Sequence, residues 1–98
     1  MNNYYSDIEK IVEMKRYKDN RLVKSITTDV LNELKRAEER FPEFPTDIIH
    51  MVAIMAEESG EATRASLQHV YENGSLDDLK EELIQTAAMC FRCLKNLP

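Results

Sequence analysis

Glu72-Asn73-Gly74-Ser75-Leu76-Asp77-Asp78 joins two long stretches of helical periodicity, and the shortness of this join decides the fold. Gly74 reads as a stop at a helix C-terminus. Ser75 reads as the N-cap of the next helix. Asp78 stands three residues on, where a capping box has Glu or Gln. With only Gly74 and Ser75 between them, the two helices are expected to fold back as antiparallel neighbours.

Working outward, the upstream helix is expected to begin at Thr46 as N-cap, with Asp47 in its first turn, and to run to about Asn73. The downstream helix carries Leu79, Leu83, Cys90, Leu94 and Leu97 as a main stripe, with Ile84, Ala88 and Phe91 as a second one. Further upstream, Ile26, Val30, Leu34, Ala37 and Phe41 recur at three- and four-residue steps, which predicts a helix over 25–41. Pro42 and Pro45 end it, because proline cannot extend a helical hydrogen-bond ladder. A first helix is predicted over 6–17, with Ile8, Ile11, Val12 and Met14 as its apolar positions, and Lys18-Asp19-Asn20 as a polar break. No stretch alternates apolar and polar residues long enough for a strand. The expectation is an all-α bundle: residues 1–24 as an N-terminal helix or arm, and 25–98 as a helical domain completed by oligomerisation.

The chain has 98 residues, enough for one domain; 43% are hydrophobic and 32% charged, with no Trp. Its net charge is −5, and no Lys/Arg-rich run interrupts the acidic balance, which argues against a nucleic-acid polymer as partner. There is no apolar run of membrane-spanning length and no basic start followed by an apolar stretch. Cys90 and Cys93 are the only cysteines, too few for a secreted disulfide scaffold, so a reducing cytoplasm is expected.

The chemistry lies in the acids. Glu57, Glu58 and Glu61 fall within one narrow arc of the helix before the turn, and Asp78, Glu82 and Gln85 line one stripe after it, beside Glu81. A solvated acidic face is the commoner use of such spacing. Here, however, Met51, Val52, Ile54, Met55 and Ala56 precede the first group, and Ala62 and Ala65 follow it, so the acids look inward-facing. Like charges one turn apart repel unless water or a cation intervenes, and hard divalent cations favour carboxylate oxygens.

Met55-Ala56-Glu57-Glu58-Ser59-Gly60-Glu61-Ala62 resembles the first motif of the MazG-like nucleoside triphosphate pyrophosphohydrolases, two adjacent Glu and a third three residues after the second. Glu82-Leu83-Ile84-Gln85 is similar to their second motif, Glu-x-x-Asp, with Gln85 in place of the usual Asp. The resemblance covers about Glu39 to Leu97. It implies hydrolysis of a nucleoside triphosphate to the monophosphate and pyrophosphate, dependent on Mg²⁺ or Mn²⁺. It also implies Glu58, Glu61 and Glu82 as metal ligands, Gln85 as a weaker ligand, and Glu57 as the group that orients or deprotonates the attacking water. Lys80 and Arg64, nearest the acids in sequence, are candidates for substrate phosphates. A homodimer or tetramer is expected. Two other readings stand beside this one: a nucleotide- or metal-binding module without turnover, which Gln85 favours, and a helical interaction protein whose acids are merely solvated.

His50 and His69 do not fall in Glu-x-x-His pairs and read as surface or packing residues. Cys90 and Cys93 have C-x-x-C spacing without a second ligand pair or a preceding strand, and read as structural thiols. Arg92 and Lys95 could also meet substrate phosphates, although a basic residue in such a place is more often a surface charge. No Gly-rich phosphate loop is present.

Overall fold

A computed structural model of the protein describes residues 3–98, with side-chain surroundings from Asp7 onward. It is all-α, with three helices and no strand among the described residues: α1 (Asn3–Arg40), α2 (Ile48–Tyr71) and α3 (Leu76–Asn96).

The break expected at Lys18-Asp19-Asn20 is absent, and α1 runs unbroken through it. Neither Gly nor Pro occurs between Asn3 and Arg40, and Lys, Asp and Asn each cost at most about 0.7 kcal/mol in a helix. A polar triplet therefore has no means of stopping a helix that both flanks support. The boundary at residue 24 falls inside α1, so the arm and the bundle share one continuous rod. Thr27 and Thr28 lie within it, their hydroxyls donating to the carbonyls of Val23 (2.7 Å) and Lys24 (3.0 Å). The last turn closes with Phe41 N–H donating to Ala37 O at 2.8 Å, and Pro42 follows with no N–H to give.

The start of α2 differs from expectation by one residue. Asp47, not Thr46, is the N-cap, and its carboxylate accepts from His50 N–H at 2.9 Å. An anion there also meets the positive end of the helix dipole, which a threonine hydroxyl cannot do as well. The stop lies before Gly74. Glu72 is the C-cap, and Asn73 takes the left-handed conformation at φ 61°. Gly74 serves close approach instead. A Cβ there would sit 2.9 Å from the Gln68 carbonyl carbon, and Gly74 N–H donates to Gln68 O at 2.8 Å. His69 Nδ1 lies 2.8 Å from Gly74 O and fastens the same turn. Ser75 is the N-cap of α3 as expected, but its hydroxyl accepts from Asp77 N–H at 3.0 Å rather than from Asp78.

Helix α3 is central. It packs on both α1 and α2, while those two share no Cα pair within 8 Å among the described residues. Val30 and Leu34 of α1 bury against Ala88 of α3, with Ile84 and Ala87 packed on the cluster. The stripe expected as secondary, Ile84 and Ala88, thus faces the core. Leu83, Leu94 and Leu97 of the expected main stripe are exposed, as is Phe91. The small Ala88 lets α1 approach closely, and a helix held on two sides turns its remaining apolar face outward. On the other side, Met51 is 1% exposed and Ala62 and Ala65 are buried. Met51 O accepts from the Cys93 thiol at 3.4 Å, so the start of α2 lies beside the end of α3.

Candidate metal centre

Glu58 and Glu61 lie one turn apart on α2, and Glu82 comes from α3. One carboxylate oxygen from each falls within 4.8 Å of the others. With α2 ending at Tyr71 and α3 beginning at Leu76, Glu61 lies about 15 Å from its helix end and Glu82 about 9 Å from its own, and the length of two Glu side chains covers the difference.

The acids sit in an environment that resists their ionisation. One oxygen each of Glu58 and Glu82 is shut off from solvent and has no hydrogen-bond partner. Burial raises the Glu58 carboxyl above the usual carboxylate range, and the negative charges of Glu61, Glu33 and Glu57 push it further. Burial likewise raises Glu82, followed by the charge of Glu61, a hydrogen bond with Glu61, and the charges of Glu58 and Glu81. Glu33, by contrast, is held by Arg36 in a two-pronged pair at 2.7 and 2.9 Å. No basic side chain forms such a pair with Glu58, Glu61 or Glu82 among the described residues.

Donor chemistry and spacing suit a hard divalent cation. At the 4.8 Å limit the centre of the triangle lies about 2.8 Å from each oxygen, so the oxygens draw in by a few tenths of an ångström for calcium bonds of about 2.3–2.6 Å and by about 0.7 Å for Mg²⁺ at about 2.0–2.1 Å. Rotation about Glu side-chain bonds covers that distance. Glu57 is exposed beside Glu58. Gln85 is half-buried and lines a cavity of about 160 Å³ together with Glu58. Arg64 lines a polar groove with Glu61, Gln68, Asp78 and Glu82, next to the carboxylates. Lys80 is not brought there. It borders an apolar groove with Ile26, Val30, Leu79 and Leu83.

Reading the sequence missed two residues. Arg36 and Arg40 of α1 line the cavity that holds Glu58 and Gln85, over a floor that includes Ala37, Ala88 and Met89. Their four-residue spacing, next to the apolar positions Ala37 and Phe41, places them at the edge of the packed face, and that was the available signal. Arg92, expected to meet phosphates or to be a surface charge, borders the same cavity but is only 4% exposed. Its guanidinium donates to Phe41 O and stacks over the Phe44 ring with 4.7 Å to the centroid, so it clamps the α1–α2 connection. Lys95 pairs with Glu38 at 2.9 Å.

Comparison of the chain with protein-family models, with curated proteins and with solved structures finds no match.

Proposed function

We propose that the protein is a divalent-metal-dependent nucleoside triphosphate pyrophosphohydrolase of the MazG-like type, built on an antiparallel α2–α3 pair. The observation that carries this reading is the convergence of Glu58, Glu61 and Glu82 from two helices, with buried oxygens that no protein group satisfies. Buried anions without partners cost free energy, and a fold keeps them where a ligand of opposite charge returns it.

Glu58, Glu61 and Glu82 hold Mg²⁺ or Mn²⁺, with Gln85 as a neutral oxygen donor at the cavity side. A cation held there supplies positive charge between an acidic protein and an anionic triphosphate, and favours ionisation of water near neutral pH. Glu57, exposed at the rim, orients or deprotonates the attacking water. Arg36 and Arg40 present cations to the adjoining cavity, where they meet substrate phosphates, and the Ala88 and Met89 floor offers an apolar surface to the base. Arg64, in the groove that Glu61 and Glu82 border, serves outlying phosphate oxygens. In this reading the protein acts as a homodimer or tetramer in the cytoplasm.

The test is a panel of nucleoside triphosphates incubated with Mg²⁺ or Mn²⁺ and assayed for pyrophosphate. Glu61→Gln should abolish release. Gln85 favours a second reading, nucleotide binding without turnover. Metal-dependent nucleotide binding by calorimetry, without pyrophosphate from any member of the panel, would decide for it. Absence of both would leave a helical interaction protein.

A further inference from the structure

The apolar stripe of α1 does not stop where α3 stops. Ile26 is where α1 begins to share a groove with Leu79 and Leu83 of α3. Ahead of it, Ile8, Ile11, Val12, Leu22 and Val23 continue the line of Val30 and Leu34. At about 100° per residue all of them lie within an arc of roughly 140°. They take no part in the core cluster or in the groove that Ile26 and Val30 share with α3. Ile11 is 65% and Leu22 60% exposed. The molecule is 63 Å long, close to the ~57 Å of a straight 38-residue helix, so this overhang projects from the bundle.

Lys15 and Asp19 fall inside the same arc, and Arg16 at its edge. We propose that the overhang is an interface with a second copy of this chain, two arms lying antiparallel about an axis at Tyr17. In that register Ile8 faces Ile26, Ile11 faces Val23, and Val12 faces Leu22. Lys15 faces Asp19 of the other copy, and each pairing occurs twice by symmetry. The charge along the arm is self-complementary in the same sense. In that register residues 7–13, with Asp7, Glu9 and Glu13 against Lys10, face residues 21–27 of the other copy, with Arg21 and Lys24, while the centre faces itself through the Lys15–Asp19 pairs. An antiparallel pair sets the net acidic 7–13 of each copy against the net basic 21–27 of the other, whereas a parallel pair would set like against like. The interface also continues the α1–α3 packing at Val30 and Leu34 without interruption. It gives a surface to the self-association proposed above, and rests on that association.

The experiment is sedimentation equilibrium on the full chain at micromolar concentration, with helix content checked by circular dichroism. Wild type should be dimeric or larger. Lys15→Glu alone places like charges opposite each other, as does Asp19→Lys alone, and each should weaken association on the order of tenfold. Mixed in equal amounts, the two variants should restore it, because each now presents the charge that the other needs. Repulsion within one helix cannot produce that rescue. Ile11→Asp should also dissociate the dimer. A monomeric wild type overturns both this interface and the proposed oligomer. An oligomer indifferent to all three substitutions overturns the arm interface alone, and weakening without rescue on mixing overturns the register.

Discussion

Near its start α3 draws an acid inward at Glu82, and near its end it draws a base inward at Arg92. The two are treated in opposite ways. Arg92 is met largely by the chain itself, with the Phe41 carbonyl accepting from one end of its guanidinium and the Phe44 ring lying under it, although its Nε is buried without a partner. Glu82 meets only other acids, Glu58 and Glu61, and one of its oxygens has no partner at all. A buried charge answered within the chain is part of the architecture. A buried charge opposed by its own sign is a cost that the fold alone does not offset, and the proposed cation would offset it.

Breaking the answered side should have the largest effect. Arg92→Ala leaves the Phe41 carbonyl without its donor, uncovers the Phe44 ring and opens a gap where the guanidinium stem packed. A loss of about 2–4 kcal/mol is expected in denaturant melts. Added Mg²⁺ should not restore it. A loss below about 0.5 kcal/mol, the range of ordinary surface substitutions, would show that the clamp is incidental.

The unanswered side should respond to metal instead. Mg²⁺ or Mn²⁺ at about one hundred times its dissociation constant should stabilise wild type by roughly 2.7 kcal/mol. Glu61→Gln should lose most of that gain, while being no less stable than wild type in chelator, because it removes a repelling charge from Glu58 and Glu82. Melting temperatures unchanged by metal in both proteins would remove the distinction between the two ends of α3.

The pH dependence sharpens the same contrast. Glu58 and Glu82 hold protons more tightly folded than unfolded, since burial and neighbouring acids raise both. In chelator their contribution is fully present below the ordinary carboxylate value near 4.3, and it is lost as pH rises through the raised folded values. Saturating Mg²⁺ should reverse the trend, because a cation binds the ionised form. Melts from about pH 4 to about pH 7, with and without metal, read both signs. The same curve in both series would show that no cation reaches these groups.

The smallest effect concerns Gln85. It lines the cavity with Glu58, so Gln85→Asp should raise metal affinity by up to about tenfold, with Gln85→Glu as the size-matched control. If both variants lose stability that metal does not return, Gln85 belongs with Arg92 to the packing of the fold.

Much of the candidate site could be read without coordinates. The spacing of Glu57, Glu58 and Glu61, and of Glu82 and Gln85, places each set on one helical face, because helical periodicity is local. Arg36 and Arg40 could not be joined to that set by the same means. They lie on α1, and nothing in their spacing says which face of another helix they will meet. The polar triplet at residues 18–20 misled for a related reason. Polarity marks exposure, and an exposed helix differs from a loop only in its hydrogen bonds, which Lys18, Asp19 and Asn20 do nothing to prevent.

By itself the sequence determined that the chain is all-α, that Pro42 and Pro45 end one helix, that Ser75 begins another, and that acids gather on both sides of the last turn. These follow from periodicity, capping and the chemistry of proline, which act over a few residues. Only the tertiary structure decided which stripe of α3 faces inward, which acids lose their water, and that Arg92 is buried. Each depends on which helix lies against which, and that is set by the close approach Ala88 allows and by the turn at Asn73 and Gly74.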